Sequence, residues 1–165
     1  MSQNQQLVYN ILDEKGISYK ISNHAAVHTI NDMNNLQIEG ISQIVKNLFL
    51  RDDKKKRYFL VTVEKDRRIN LKDLQNQLQS RPLSFASEND LQKYLGLKKG
   101  SVTPFGIFHD TSNIVEVIFD KKLAKFQTIG IHPNENTATV WIQLKDLVSV
   151  IQDYSNKISY IELGD

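Results

Sequence analysis

Leu7, Val8, Ile11 and Leu12 recur at helical spacing within residues 3–15, so an amphipathic helix with one apolar face is expected there. Ser2 followed by Gln5 offers a capping box, and Gly16 a stop. Tyr19 to Ser22 suits a short strand. Asn23 to Gly40 is polar and irregular, with one short helix expected near Asn31 to Leu36. The pattern then changes. Residues 43–51 and 57–63 are dense in strand-favouring side chains around a turn-like Asp52-Asp53-Lys54-Lys55, which predicts an antiparallel hairpin. Asn70 caps a helix through about Leu78, and Ser87 caps another to Leu95, closed by Gly96. Strands are expected at 105–108, 113–119, 128–132 and 137–142, a helix at 143–153 and a last strand at 157–162. Many short strands broken by helices, without regular βαβ alternation, argue for an α+β fold with a mixed, barrel-like sheet flanked by helices. No linker or repeat divides residues 1–165, so a single domain is expected.

Within the hairpin, Lys46 and Asn47 interrupt an apolar run, Ile44-Val45-Lys46-Asn47-Leu48-Phe49-Leu50. Alternation puts Lys46 on the face of Ile44, Leu48 and Leu50, and Asn47 on that of Val45 and Phe49. A strand apolar on both faces is normally buried on both, and an unpaired buried charge is costly. Lys46 therefore needs water, an anionic partner or a ligand; a plain ion pair, or a stem reaching solvent at the strand end, satisfies the pattern equally.

Gly100-Ser101-Val102-Thr103-Pro104-Phe105-Gly106 is a tight, stiff loop whose backbone groups suit a small polar ligand, though such loops also serve as plain connections. It lacks the Gly-Lys-Ser/Thr of a phosphate-binding P-loop. His132 stands at a predicted strand end before a polar turn, as a base, a ligand or a surface residue. His24 and His28 lie four apart with nothing nearby to complete a metal triad, so no metal is expected.

Composition narrows the chemistry. The 165 residues contain no cysteine, which excludes a disulfide scaffold and a thiolate nucleophile, and no nucleophile-elbow motif is present. No apolar run reaches membrane-spanning length, and the N-terminus lacks the order of a signal peptide, so a cytoplasmic protein is expected. A net charge of +2 is too small to argue for nucleic acid. The clusters Lys54-Lys55-Lys56-Arg57, Arg67-Arg68, Lys98-Lys99 and Lys121-Lys122 with Lys125 suit phosphate contacts or simple solubility.

Five blocks with compatible spacing carry a resemblance: Lys46 to Asp52, Asp66-Arg67-Arg68, Leu83 to Ser87, Gly100 to Pro104, and His132-Pro133. From about His24 to the last strand, the chain resembles the prolyl-tRNA-synthetase-associated, or YbaK-like, editing domains. It is nearest their free-standing branch that deacylates alanyl-tRNA(Pro). The resemblance implies hydrolysis of the ester in Ala-tRNA(Pro) with Pro-tRNA(Pro) spared, on a mixed α/β barrel-like domain with no metal, cofactor or protein nucleophile. It implies that Lys46 anchors and polarises the aminoacyl end or its neighbouring phosphate, and that Asn47 shapes the site. Gly100, Ser101, Val102, Thr103 and Pro104 would grip the aminoacyl group and terminal adenosine. His132 would border the pocket, and Thr29 would be a further substrate-binding position. The partner implied is the acceptor end of proline tRNA, with prolyl-tRNA synthetase as a further candidate and neither DNA nor membrane. His28 departs from the more apolar residue expected of the family, as does the run Asn134-Glu135-Asn136, and both are expected to border the amino-acid pocket. Two other readings stay open: a non-catalytic module that binds aminoacyl-tRNA or a synthetase, and a deacylase for another cargo such as cysteine or serine.

Overall fold

The computed structural model describes residues 2–36, 38–154 and 156–164. Helix α1 spans Gln3–Glu14, with the Ser2–Gln5 capping box formed in both directions. Strand β1 (Tyr19–Asn23) and the short helix α2 (Ile30–Asn34, capped by Thr29) follow. The hairpin consists of β2 (Val45–Asp52) and β3 (Tyr58–Glu64), antiparallel as its turn implied. Then come α3 (Leu71–Leu78), β4 (Leu83–Phe85), α4 (Glu88–Leu95), β5 (Val115–Asp120), β6 (Thr128–Ile131), β7 (Ala138–Gln143), α5 (Leu144–Asp153) and β8 (Ile158–Ile161). Asn70 and Ser87 cap α3 and α4 through their side chains, as their positions before apolar-periodic runs predicted.

The strands form two sheets. One is antiparallel, in the order β1-β7-β6; the other is mixed, in the order β4-β2-β3-β5-β8, with β3, β5 and β8 parallel. A single parallel bridge, Ile44 to Gly130, brings the sheets together, so the barrel-like expectation is met by two abutting sheets rather than a closed barrel. Gly130 is where they can touch. A β-carbon there would lie 2.7 Å from the Trp141 ring and 3.0 Å from both Ile44 and Thr139.

Alternation along β3 explains the burial of its first six residues, Tyr58 to Val63. Tyr58 and Leu60 enter a large core shared with β5, β6, β7 and helices α1, α4 and α5. Phe59, Val61 and Val63 enter a second core on the opposite face, covered by Leu74 of α3 and by Ile161 and Leu163 of the C-terminal segment. β2 divides likewise, with Val45 and Phe49 on the first side and Leu50 on the second. Lys46 and Asn47 are thus carried on a strand whose register is set by apolar burial on both faces.

One predicted strand is a different element. Residues Pro104–His109, expected to include a strand at 105–108, form a 3-10 helix. Thr103 caps it with its side chain, and Pro104 at the first helical position supplies a φ suited to a helix start. Pro104, Phe105, Gly106 and Ile107 are all buried, so the apolar run read as a strand packs as a tight helical turn. The three-residue edge strand β4 was not expected; it pairs with β2 only over Leu50 to Asp52.

Candidate active site

A cavity of about 220 Å³ opens where the β2 start, the α2 cap and the Gly100 loop converge. Val27, Ile30, Met33 and Ile44 form its apolar wall, and Val27, Met33 and Ile44 also belong to a small separate core beneath it. Lys46, Asn47, Thr29, Gly100, Val102 and His132, six of the nine site residues named from sequence, share the lining with Val45 and His28.

Lys46 is half-buried, and its ammonium donates to the Arg67 backbone carbonyl. Burial lowers its pKa below the ordinary lysine value, and the nearby Asp66 carboxylate partly opposes that shift. Asp66 itself pairs with Lys65 at 2.8 Å, and Lys65 also donates to Asn34 of α2 at 2.8 Å. The Arg67 guanidinium reaches the other way, donating to the carbonyls of Leu163 (2.7 Å) and Gly164. The basic pair in the sequence thus serves Lys46 through a main-chain carbonyl, a role that side-chain chemistry in the sequence does not signal.

Asn47 is oriented from behind. The fully buried Thr62, its cross-strand partner, donates its hydroxyl to Asn47 Oδ1 at 2.7 Å. With that oxygen engaged, the amide NH2 remains a donor for the cavity.

His132 follows directly on β6, and its Nδ1 lies 3.0 Å from the Ala138 carbonyl. A carbonyl only accepts, so Nδ1 carries the proton of the neutral ring and Nε2 is left as an acceptor. Burial lowers the His132 pKa; the Ala138 carbonyl opposes this, while the neighbouring His24 adds to it. The two rings lie 6.3 Å apart. His24 is fixed by the Ala25 carbonyl at 2.8 Å and the Thr139 hydroxyl at 2.9 Å.

The loop divides its labour. Gly100, at φ +86°, and Val102 face the cavity. Ser101, Thr103 and Pro104 are buried behind the lining. Thr103 spends its hydroxyl on the His132 carbonyl at 2.7 Å, which ties the loop to β6 instead of presenting a polar group to a ligand. The two departures noted in the sequence meet here. His28 lines the cavity, and Asn136 donates to the Val27 carbonyl at 2.6 Å while its Nδ2 lies 3.5 Å from His28 Nδ1. Val27, Ile30 and Met33 were not anticipated as lining, whereas Ile44 is among the apolar neighbours of Lys46 in sequence. Their one sequence signal is the Thr29 cap, which starts α2 and so brings Ile30 and Met33 to the cavity.

The cavity therefore offers a cation, an amide donor and a neutral imidazole acceptor beside a small apolar wall. Such a set suits an ester carbonyl carrying a small side chain: donors for developing oxyanion charge, an acceptor for a hydroxyl or water, and a bounded space for the acyl group. Among the described residues, no group of three or more His, Asp or Glu side chains is arranged to hold a metal ion, and no helix is long and apolar enough to cross a membrane.

Residues 24–150 match the aminoacyl-tRNA editing domain. The chain is 46% identical to the prolyl-tRNA editing protein ProX of Acetoanaerobium sticklandii, over 96% of its own length and 97% of that protein. It is 34% identical to prolyl-tRNA synthetase associated domain-containing protein 1 of Mus musculus, over 82% of each chain. Its fold superposes on a crystal structure described as a candidate trans-editing enzyme for prolyl tRNA synthetase, with a TM-score of 0.76, 20% identity and 99% of both chains covered.

Proposed function

The chain belongs to the aminoacyl-tRNA editing domain family, and we propose that it acts in trans to hydrolyse the ester of alanine wrongly attached to proline tRNA. One observation carries the reading: Lys46, Asn47 and His132 meet around a 220 Å³ cavity with an apolar wall of Val27, Ile30, Met33 and Ile44. Support for the proline system comes from the 46% identity to a prolyl-tRNA editing protein over nearly the whole of both chains.

In this reading water attacks the ester carbonyl carbon, and the bond from that carbon to the ribose oxygen breaks. The proton lost by the water ends on the departing ribose oxygen, and free alanine and intact tRNA leave. The Lys46 ammonium and the Asn47 amide stabilise charge on the carbonyl oxygen or the adjoining phosphate. His132 Nε2 accepts from the ribose hydroxyl or the water. No protein nucleophile is required, because an aminoacyl ester is already an activated acyl donor, and positioning supplies much of the rate. In this reading the apolar wall and Gly100 act as a size filter that admits a methyl side chain and rejects a pyrrolidine ring. This supplies discrimination that a synthetase pocket sized for proline lacks, since one methylene is worth only about 1–3 kcal/mol.

The test is alanine release from Ala-tRNA(Pro) by the purified protein, with Pro-tRNA(Pro) and Lys46→Ala as controls. Release that spares the proline ester and collapses in the variant supports the proposal. Release at the buffer rate overturns it in favour of a binding module. His28 on the lining favours one second reading, a small polar cargo such as serine, and faster release from a seryl than an alanyl ester would select it.

A further inference from the structure

Beside the Lys46 cavity lies a second, larger groove of about 560 Å³, and the two share Asn47, Gly100 and Val102 as a common wall. Phe85 forms part of this groove and is 61% exposed, the most exposed large apolar side chain among the described residues. We propose that Phe85 is a stacking platform for the nucleobase of the 3′-terminal nucleotide of the substrate RNA. The inference rests on the editing reading above and adds the site of the base to it.

Three features of the groove support this occupant. The first is continuity. An aminoacyl ester sits on the ribose of the terminal nucleotide, so with the acyl group beside Lys46 the base must lie one sugar away, across the shared wall. The second is a fixed aromatic surface. Phe85 ends β4 opposite Leu50, the next residue donates its N–H to the Phe49 carbonyl at 3.0 Å, and Ser87 then caps α4. The backbone beneath the ring is therefore held on both sides, while the ring itself meets solvent. Leu48, Ala86 and Leu91 supply an apolar surround, as a flat base requires. The third is charge. Lys99 attracts a phosphate to this groove while Glu88 repels one, so the nucleotide is oriented by the same residues that admit its base. Single-stranded RNA ends are commonly read by stacking on aromatic rings, because every base presents a π-face.

The experiment uses a short RNA ending in CCA with 2-aminopurine as the 3′-terminal base, titrated with the full chain. Fluorescence quenching on binding is expected for the natural protein and for Phe85→Tyr. Phe85→Leu, which stays apolar but cannot stack, should bind about 5- to 150-fold more weakly. In alanine release the same variant should raise KM by a similar factor with kcat little changed, whereas Lys46→Ala lowers kcat. Unchanged quenching in Phe85→Leu, or none in the natural protein, overturns the proposal. Alanine release with KM unaffected by Phe85→Leu leaves the editing reading standing and removes the stack. Quenching without alanine release by the natural protein does the reverse. A melting temperature for Phe85→Leu within a few degrees of the natural protein is required, and Phe85→Tyr restoring KM separates stacking from bulk packing.

Discussion

Thr62 and Asn47 face one another across the β2–β3 ladder, and the buried threonine hydroxyl holds the asparagine oxygen at 2.7 Å. The amide that lines the cavity is thus oriented by a residue that does not line it. Thr62→Val keeps the shape and removes the donor. It is expected to cost about 1 kcal/mol of stability and to lower kcat several-fold. Thr62→Ser should restore most of the rate, which a purely packing role for the side chain would not predict. Steady-state deacylation and urea melts of both variants check this.

In the proposed reaction Lys46 carries the electrostatic part. Lys46→Ala should reduce kcat about 10²- to 10³-fold, in the range of losing one oxyanion donor. Because burial depresses its pKa below the ordinary lysine value, the enzymatic rate should begin to fall on the alkaline side before pH 10.5, as the cation is lost. The rate after subtraction of spontaneous ester hydrolysis reports that limb. In Lys46→Arg, weaker but still active, the limb should vanish because the guanidinium stays charged.

His132 governs the acid side. Its folded pKa is lowered below 6.5, so between the two values the unfolded chain binds more protons than the native one. Stability therefore rises with pH through this window, is complete above about pH 6.5, and is lost as pH falls below it. Activity that needs a neutral acceptor should persist below pH 6.5 and fail only near the lower, folded pKa. Melting temperature against pH for the natural protein and His132→Asn checks the first statement; the variant should show a shallower acid loss.

Gly130→Ala tests the junction between the sheets. The added methyl would meet Trp141, Ile44 and Thr139 at 3.0 Å or less, all on packed elements. A loss of about 1–3 kcal/mol is expected. Since Ile44 also lines the cavity, KM should rise as well. Thermal melts and deacylation kinetics of the variant report the two effects separately.

Helix starts were legible because their signals are local: Ser2, Asn70 and Ser87 act on N–H groups two or three residues away. The hairpin, and with it the placing of Lys46 and Asn47 on opposite faces, followed from strand alternation. What escaped depends on contacts far apart in sequence. The strand expected at 105–108 is a 3-10 turn started by the Thr103 cap and Pro104, and the packing that buries it, with Thr103 bonded to His132 29 residues away, is set by the fold. The apolar wall joins Val27 and Met33 to Ile44 through folding alone. The anchor of Lys46 is a backbone carbonyl, and every residue has one. The separation of Ser101, Thr103 and Pro104 from Gly100 and Val102 likewise needed the fold, since all five lie in one polar-looking loop.

The Arg67 carbonyl accepts from Lys46, and the guanidinium of the same residue donates to the Leu163 and Gly164 carbonyls. Three hydrogen bonds through one residue therefore connect the Leu163–Gly164 segment to the Lys46 ammonium, and the segment acts as a guy-rope for that cation. An affinity tag fused close behind Gly164, or a deletion beginning at Leu163, slackens that rope without touching the pocket. Preparations differing only at this end should differ in turnover, so purification handles belong at the α1 end of the molecule.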